Sequence, residues 1–387
     1  MNPAQSTALL RGMIEIPSPS GDEQPLATWL AGEMERLGFA SSIDGAGNVV
    51  GRRGSPDGPL ILLLGHLDTV PDQIPVRQEG SLLYGRGAVD AKGPLATMIC
   101  AAAQLESTDA QLVVVGAVEE ETPSSRGANY LLARYDPAAV LIGEPSGWSN
   151  VVLGYKGRIS IHYEVRRPPT HSAGPGEKAT EVAVAFWNDL VRHFAAFGGD
   201  DGLFHRPTAT LLTFAGSMEL ARLHIACRTP PKFDFAACDR FLETIVGTAR
   251  LDIDERTPAV LVDRSEPTIR TLTQSIRAHG GRPKLKLKTG TSDMNTVTKK
   301  WRVPIAAYGP GDSSLDHTAE EHIDLEEYLR AIQVLRDALP LLSTELRQLA
   351  ARNAPALPAP ALEEAGAYTA DEEAELTKRL EALGYME

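Results

Sequence analysis

The sequence has few cysteines and no long hydrophobic segment. Its 387 residues contain three cysteines, Cys100, Cys227 and Cys238, which stand in apolar surroundings at no metal-ligand spacing. Such a scattered, odd set is typical of reduced and mostly buried thiols and excludes a disulfide scaffold. No segment approaches the roughly 18 uninterrupted apolar residues of a membrane span, and the N-terminus lacks the basic and apolar regions of a signal peptide. We therefore expect a soluble, unexported, cytoplasmic protein.

Basic residues are also fewer than acidic residues. The chain carries 38 basic and 51 acidic residues, which gives a formal net charge of −13. A field of that sign disfavours binding to nucleic acids or anionic membranes, so neither partner is expected, although local basic patches remain compatible with it. The length exceeds the size at which a single core keeps growing, and two domains are therefore the default expectation.

Short β-rich runs alternate with helical patterns in the first part of the chain. The predicted elements are strands near 60–65, 111–118 and 138–142 and helices near 25–37, 94–105 and 127–135. This alternation indicates an α/β fold with a doubly wound, mainly parallel sheet and helices on both faces. In such sheets the ligand crevice lies at the carboxyl ends of the strands.

Residues 155–262 follow a different pattern. The segments 158–165 and 222–228 alternate between apolar and polar residues, as strands with one solvated face do. With helices predicted near 177–195 and 233–249, this segment indicates an antiparallel α+β module inserted into the first domain.

The doubly wound pattern returns afterwards, with a predicted helix at 267–279, strands near 283–288 and 303–308 and a long helix from 324. The predicted organisation is one domain of residues 1–154 and 263–350, an inserted domain of residues 155–262, and a tail of residues 351–387. The tail is predicted to be a Pro/Ala-rich linker followed by a short amphipathic helix at 371–383, and we assign it no chemistry.

An acidic triplet, Glu119-Glu120-Glu121, ends the apolar run at 111–118. Taken alone it is more typical of a solvated turn, but like charges at the end of a buried strand favour a bound cation. The residues that are candidates to complete such a site stand after other apolar runs or in Gly-rich loops, and they are His66, Asp68, Asp90, Glu144 and His317. We interpret this constellation as the dinuclear metal site of a hydrolase.

His66 and Asp68 would project to the same face of a continued strand. A metal-binding imidazole usually donates its other N–H to a carboxylate, so Asp68 is predicted to fix the tautomer of His66. A lone histidine at a strand end is otherwise more typical of a satisfied core residue. Asp90 lies in a Gly-flanked loop where the backbone can approach closely, and its carboxylate is suited to bridge two cations.

Glu121 is predicted as a ligand and Glu120 as the general base, since adjacent side chains diverge and can divide these roles. Two divalent cations about 3.5–4 Å apart polarise a carbonyl and activate a water, while a nearby carboxylate takes the proton and delivers it to the leaving amine. The sequence thus predicts amide hydrolysis without a covalent intermediate. A serine or cysteine nucleophile is disfavoured, because there is no Gly-x-Ser-x-Gly motif and no cysteine in an activating context.

These motifs resemble the M20 family of metallopeptidases and amidohydrolases over roughly residues 5–345. The resemblance implies that Asp90 bridges two metals, that Glu120 is the base, and that the remaining ligands are His66, Glu121, Glu144 and His317. Histidine and carboxylate ligands suit zinc, cobalt and manganese alike; zinc is expected by default, with cobalt as a second candidate.

The resemblance also implies a homodimer. Members of the family place a lid histidine against the substrate carbonyl of the partner subunit, and His171 in the sequence Thr-His-Ser-Ala-Gly-Pro matches it. The inserted domain would then serve as lid and dimerisation domain. The chain departs from the family at Glu119, where many members have aspartate, and at Ala91, a variable position.

Longer stretches resemble one branch of the family, and they are 65–71, 84–94, 120–127, 154–158 and 289–295. Enzymes of this branch release lysine, and in some organisms ornithine, from the C-terminal glutamate of the acidic amino-group carrier protein LysW. The resemblance implies the last step of lysine biosynthesis through α-aminoadipate, with LysW as substrate partner. The alternative is a small-molecule N-acyl amino-acid deacylase of the acetylornithine deacetylase or succinyl-diaminopimelate desuccinylase type, which needs no carrier.

A cationic cluster fits an acidic carrier. Lys284, Lys286 and Lys288 recur at period two, so a regular strand would present them on one face, and Lys299, Lys300 and Arg302 follow. Such a cluster is suited to guide an acidic protein to the crevice. The alternative is a solvated edge strand whose lysines discourage aggregation.

Overall fold

The computed structural model describes residues 1–197, 202–353 and 369–383. The chain divides into two compact units, Met1–Arg347 and Gln348–Glu387. Within the second unit, the predicted C-terminal helix is present at Ala370–Ala382, whereas most of the predicted linker lies outside the described residues. None of the described helices is both long and apolar enough to cross a membrane.

The described residues form ten α-helices, one short 3-10 helix at Leu203–His205 and sixteen strands. The helices are α1 (Pro3–Glu15), α2 (Gln24–Arg36), α3 (Lys92–Ala103), α4 (Arg126–Leu132), α5 (Ala179–Ala195), α6 (Phe235–Ile245), α7 (Pro267–Ala278), α8 (Asp293–Val297), α9 (Leu325–Asn353) and α10 (Ala370–Ala382). The strands are β1 (Ala40–Ile43), β2 (Val49–Gly54), β3 (Leu60–His66), β4 (Arg77–Glu79), β5 (Leu82–Tyr84), β6 (Gln111–Ala117), β7 (Ala139–Ile142), β8 (Asn150–Tyr155), β9 (Gly157–Arg166), β10 (Thr208–Gly216), β11 (Leu220–Thr229), β12 (Arg250–Thr257), β13 (Val260–Leu261), β14 (Lys284–Lys288), β15 (Ile305–Ala307) and β16 (His322–Asp324).

The central sheet has nine strands in the order β1-β2-β6-β3-β7-β15-β8-β13, with β14 paired to β8. Its middle, β6-β3-β7-β15, is parallel, whereas β1, β2, β8 and β13 extend it through antiparallel pairs. Alternate residues of β3 enter two different apolar clusters, Leu63 on one face and Leu62 and Leu64 on the other. Burial on both faces explains why these strands are continuous apolar runs, and the predicted α/β class is confirmed.

A second, four-stranded sheet is antiparallel throughout, in the order β10-β11-β9-β12. One face packs against α5 and α6 around a separate core that includes Ile161, Phe186 and Leu242. The other face carries polar residues such as Arg158 and His162, at alternate positions of β9. The predicted antiparallel module thus has its own sheet and core, while the domain boundaries given above stay predictions.

Candidate active site

Four of the predicted site residues stand at the carboxyl ends of neighbouring parallel strands. His66 is the last residue of β3, Glu120 and Glu121 follow β6, and Glu144 follows β7. Because β3 pairs in parallel with both β6 and β7, these side chains reach the same edge of the sheet.

Asp90 comes to this edge on the loop between β5 and α3, and Glu321 holds that loop. The backbone N–H groups of Val89 and Asp90 donate to Glu321 Oε1 at 2.8 and 3.0 Å, and Arg86 Nη1 donates to Glu321 Oε2 at 2.7 Å. Glu321 is fully buried and directly precedes β16, which pairs with β5. This role was not predicted from the sequence, because Glu321 lies 231 residues from Asp90 and belongs to none of the motifs described above.

The carboxylate of Asp90 lies between two histidines. Its Oδ1 is 3.2 Å from His66 Nε2, and its Oδ2 is 3.2 Å from His317 Nε2. His317 Nε2 is also 2.8 Å from Glu121 Oε1. One potential ligand atom from each of His66, Asp90 and Glu121 lies within 4.8 Å of the other two. The arrangement suits a carboxylate shared between two cations, one beside each imidazole.

Asp68 organises this edge in a way that the sequence predicted only in part. The Nδ1 atom of His66 is 2.9 Å from the backbone oxygen of Asp68 and 3.5 Å from its Oδ1, so the carbonyl is the closer partner that leaves Nε2 free for a metal. The Asp68 carboxylate instead accepts the backbone N–H groups of Glu120 and Glu121, both at 3.0 Å, and the Ser20 hydroxyl at 2.7 Å. One buried carboxylate therefore fixes the backbone of the two acids predicted as base and ligand.

The triplet itself divides at Glu119. Glu119 has a left-handed φ of 56°, and its carboxylate accepts from Arg126 Nε at 2.7 Å and from Ser124 Oγ at 2.8 Å. Glu120 and Glu121, in contrast, line the cavity. The turn at Glu119 separates one structural acid from the two acids of the site.

Burial and like charges raise the pKa of several acids at this edge. Burial raises the pKa of Glu120 well above its usual value, with the charges of Glu144 and Asp293 adding to the effect and His66 opposing it. Burial and the charge of Asp90 likewise raise the pKa of Glu144 well above its usual value. Burial also raises the pKa of Asp293 to about 7. A divalent cation would offset this repulsion, so the donor set fits the metals that the sequence predicted.

The pKa values of the two histidines are also raised, by the carboxylates beside them. Burial lowers the pKa of His66, but the carboxylates of Asp68 and Asp90 outweigh it and raise that pKa well above its usual value. Hydrogen bonds to Asp90 and Glu121 raise the pKa of His317 to about 10. Both imidazoles thus lie in a strongly negative environment.

The cavity beside these residues has a volume of about 460 Å³. It is lined by the acids Asp90, Glu120 and Glu144 and by the cationic side chains Arg158, Arg228, Lys288 and Lys299. Arg228 Nη1 donates to Thr291 Oγ1 at 3.0 Å, which links β11 to the segment before α8. The cavity therefore offers cation-binding and anion-binding groups to one ligand.

The predicted lysine strand is present as β14. Its pairing with β8 skips Leu153 of β8 between Lys286 and Leu287, so the extra residue lies in β8 and β14 itself is continuous. Lys284 is exposed, whereas Lys286 and Lys288 are half-buried; Lys286 Nζ donates to the backbone oxygen of Ser146 at 2.7 Å, and Lys288 lines the cavity. The three lysines therefore differ in their surroundings, and their role in docking a carrier stays a prediction.

The predicted lid residue His171, unlike Glu120, Glu121 and Glu144, does not line the cavity of its own chain. It is exposed, and its Nδ1 accepts the backbone N–H of Ala173 at 3.1 Å. It lies on the segment between β9 and α5 and is not among the cavity-lining residues of this chain.

Comparison with known proteins defines the family. Residues 62–340 match the model of Peptidase family M20/M25/M40. The chain belongs to this family. A relative from Deinococcus radiodurans named [LysW]-lysine hydrolase is 44% identical over 346 residues, which cover 86% of this chain and 95% of the relative. A relative from Saccharolobus islandicus named [LysW]-lysine/[LysW]-ornithine hydrolase is 31% identical over 290 residues, which cover 71% of this chain and 81% of the relative.

Solved structures of the family share the fold. A tripeptidase from Staphylococcus aureus superposes with a TM-score of 0.76 at 18% identity, covering 89% of this chain and 99% of that one. A dinuclear metal-binding peptidase of the M20 family from Bacillus subtilis superposes with a TM-score of 0.68 at 14% identity, covering 89% and 98%.

Proposed function

We propose that this chain is a metal-dependent amide hydrolase that releases lysine from the C-terminal glutamate of the carrier protein LysW. The observation that carries the proposal is the 44% identity to a [LysW]-lysine hydrolase over most of both chains. The cavity agrees with it, because Asp90, which contacts His66 and His317, lines it together with Glu120, Glu121 and Glu144 and with several cationic side chains. Ornithine is a second product to test, since one relative carries both amino acids in its name.

Two divalent cations are proposed as cofactors, zinc by default and cobalt as the second candidate. Asp90 would bridge them, and the remaining ligands would be His66, Glu121, Glu144 and His317. Support comes from the contacts of Asp90 with His66 and His317 and from the contact of His317 with Glu121. When bound, the cations supply polarisation of the scissile carbonyl and activation of a water molecule.

Glu120 is proposed as the general base. It lines the cavity, it lies close enough to His66 and Glu144 to feel their charges, and its backbone N–H is held by Asp68. In this role Glu120 takes a proton from the attacking water and delivers it to the leaving α-amino group. Asp68 acts through its neighbours, because its carboxylate and its backbone oxygen orient Glu120, Glu121 and His66 together.

The working form is proposed to be a homodimer in which His171 acts on the substrate of the partner subunit. Strand β10 is an edge strand of the four-stranded sheet, and Leu212, Phe214 and Met218 at or beside it are 47%, 45% and 39% exposed. Helix α5, which packs against β10, adds the exposed residues Val184 and Val191. An apolar edge of this kind is suited to pair with a second copy, which would bury it.

A carrier substrate fits the charges at the mouth of the cavity. Lys288 and Lys299 line it, and Lys284 is exposed on the same strand as Lys288. We place the reaction in the cytoplasm, as a step of lysine biosynthesis that would extend to arginine biosynthesis if ornithine is also released. All three cysteines are free and buried, which agrees with a reducing compartment.

The test is release of free amino acid from LysW γ-linked to lysine, beside LysW γ-linked to ornithine and N-acetylornithine, each with and without chelator. Chelator-sensitive release of lysine with little deacetylation is the expected result. Preferential cleavage of N-acetylornithine would move the chain to the small-molecule deacylases and contradict the carrier proposal. Charge reversal at Lys284 should raise KM for the carrier substrate and leave KM for a small γ-glutamyl amide unchanged.

A further inference from the structure

Asp316 is an acid of the active-site cavity that has no role in the mechanism above. Among the described residues, five acids line the cavity, and four of them are proposed as metal ligands or as the general base. The fifth is Asp316, on the loop between β15 and β16. A carboxylate that is neither ligand nor base at such a cavity is available to a charged group of the substrate.

The carboxylate of Asp316 has an oxygen that a ligand can reach. No described residue donates a hydrogen bond to this carboxylate or forms an ion pair with it, and its Oδ1 is buried. The residue is only partly buried where it lines the cavity, so Oδ2 is the accessible oxygen. An ionised carboxylate oxygen only accepts hydrogen bonds, so Oδ2 calls for a donor from the ligand.

The loop holds Asp316 beside the catalytic centre. The Leu315 N–H donates to the backbone oxygen of Asp312 at 3.0 Å, and the Thr318 N–H donates to that of Leu315 at 3.1 Å. Asp316 directly precedes His317, whose Nε2 lies 3.2 Å from Asp90 Oδ2. Two hydrogen-bonded turns therefore fix the position of the carboxylate, as a group that selects a substrate requires.

The charges around Asp316 favour a cation as its partner. Asp90 and Glu321 repel the carboxylate, and Lys288, which attracts it, forms no ion pair with it in the described structure. The action of Asp90 also shows that Asp316 lies within electrostatic range of the reacting centre. A lysine whose α-nitrogen is at the scissile bond carries its ammonium on a flexible four-carbon stem, which can span such a separation.

The proposed substrate brings one ammonium and two carboxylates to the cavity. When its α-nitrogen is in the amide, lysine keeps its α-carboxylate and its ε-ammonium, and the carrier glutamate keeps its own α-carboxylate. The cationic side chains that line the cavity suit the carboxylates, and they are Arg158, Arg228, Lys288 and Lys299. The ammonium needs an acid, and Asp316 is the lining acid that the metals and the proton transfer do not require.

We propose that the carboxylate of Asp316 binds the side-chain ammonium of the amino acid that is released. The proposal rests on the proposed function, because it requires a basic amino acid at this position. An ammonium donates charge-assisted hydrogen bonds and neutralises the carboxylate. A neutral side chain would leave the carboxylate desolvated and unpaired, so Asp316 selects lysine and ornithine over uncharged amino acids.

The test removes the ammonium and the carboxylate separately. LysW γ-linked to norleucine, which is lysine without its ε-amino group, is compared with LysW γ-linked to lysine. The parent enzyme should cleave the lysine amide with a kcat/KM about 10²-fold higher, mainly through KM. Asp316→Asn should lower kcat/KM about 10²-fold for the lysine amide and less than about threefold for the norleucine amide, with an unchanged metal content.

Two controls separate binding of the ammonium from support of the fold. Misfolding or loss of metal would lower cleavage of both amides, so the norleucine amide is an internal control. Asp312→Asn is the matched variant, because Asp312 is exposed on the same loop and does not line the cavity. Its Oδ1 accepts the Ser314 N–H at 3.0 Å, a bond that asparagine can keep. This variant should retain the preference of the parent for lysine.

A second readout does not depend on turnover. By calorimetry, the parent enzyme should bind free lysine about 10²-fold more tightly than free norleucine, and Asp316→Asn should bind the two with about equal affinity. The α-ammonium of the free amino acids is common to both and cancels in this comparison.

Three results would overturn the proposal. A parent enzyme that cleaves the two amides equally would have no site for the ammonium. Equal losses for both amides in Asp316→Asn would make Asp316 a support for His317 or Lys288. The same loss of preference in Asp312→Asn would assign it to the overall charge of the loop. If the parent prefers N-acetylornithine, N-acetylnorvaline replaces the norleucine amide, so failure of the carrier proposal and failure of this one remain separate.

Discussion

The two larger of the three sheets in the described residues place functional side chains in different positions. In the central sheet the parallel strands β6, β3 and β7 end at one edge, where their following residues meet. In the four-stranded sheet neighbouring strands run in opposite directions, and its contribution to the cavity comes from directly paired positions of three strands, Arg228 of β11, Arg158 of β9 and Thr257 of β12. Parallel pairing thus brings together side chains that follow the ends of several strands. Antiparallel pairing instead places side chains of neighbouring strands side by side across one face of the sheet.

The largest effect is expected where the central sheet ends. Glu120→Gln should lower kcat by about 10³-fold, because proton transfer by the base is lost, while both metals remain bound. Kinetics and metal analysis of the purified variant check this. Glu119→Gln is the matched control, since Glu119 contacts Arg126 and Ser124 instead of the cavity. Loss of metal from Glu120→Gln would show that base and ligand had been exchanged.

The next test removes the support of Asp90 without touching the cavity. Glu321→Gln leaves Arg86 buried without a counter-charge, so the free energy of unfolding should fall by about 3–5 kcal/mol. Metal affinity should fall by about 10–100-fold, as for other residues that orient a ligand. Denaturant unfolding and competition with a chelator measure the two effects. Glu320→Gln, at a neighbouring side chain that is 75% exposed, should change neither, and equal effects at both positions would refute the role of Glu321.

The third prediction concerns β10, the exposed edge strand of the four-stranded sheet. Phe214→Lys should convert the proposed dimer to a monomer in sedimentation and, because His171 would then reach no partner cavity, lower kcat. Ile43→Lys is the matched control, since Ile43 is a similarly exposed residue, 42% against 45%, on the edge strand β1 of the central sheet. A parent protein that sediments as a monomer would end the proposal of a shared site.

The smallest effect concerns pH in the presence of a chelator. Burial raises the pKa of Asp293 to about 7 and of Asp316 to about 8, so between pH 5 and 8 the folded chain holds protons that the unfolded chain has released. The pKa of His317, raised to about 10, acts in the same direction above its unfolded value. Stability should therefore fall as pH rises through this window, by a few kcal/mol at about 1.4 kcal/mol per unit.

Thermal unfolding at pH 5, 6.5 and 8 measures this slope. The lowered pKa of Asp90 adds no slope here, because its contribution is already complete above its usual pKa. Added zinc should flatten the slope by neutralising the acids. A chelated protein that became more stable toward pH 8 would contradict the repulsion inferred at this edge.

The sequence sufficed for elements with long or strongly periodic patterns. Strands β3, β6 and β7 and helices α2, α5 and α7 lie within about three residues of their predicted positions, since their apolar runs or helical periods are unambiguous. The sequence predicted that His66, Glu120, Glu121 and Glu144 would lie at one edge of the sheet, because each of them follows a predicted strand. Short strands such as β4, β5 and β16, each of three residues, are too brief to carry a period and were not predicted.

What the sequence missed depends on contacts between distant segments. Glu321 is an ordinary surface residue by type, and only the fold buries it against Arg86. The partner of His66 was predicted as the Asp68 carboxylate, but the carboxylate is drawn to the backbone of the glutamates and the carbonyl takes its place. The extra residue of β8, Leu153, which shifts the pairing with β14, is a local irregularity that the apolar pattern of β8 does not reveal.

Because Glu321 binds the Asp90 loop, the site can form only after Glu321 has been synthesised. The two residues are 231 positions apart, and a ribosome adding roughly 5–20 residues per second needs on the order of 10–50 s to pass from one codon to the other. For most of that interval the nascent chain carries His66, Asp90 and Glu121 without the residue that fixes the loop. Metal is therefore expected to bind only when the polypeptide is nearly complete. A chain truncated before residue 321 would be released from the ribosome without the ability to form the site.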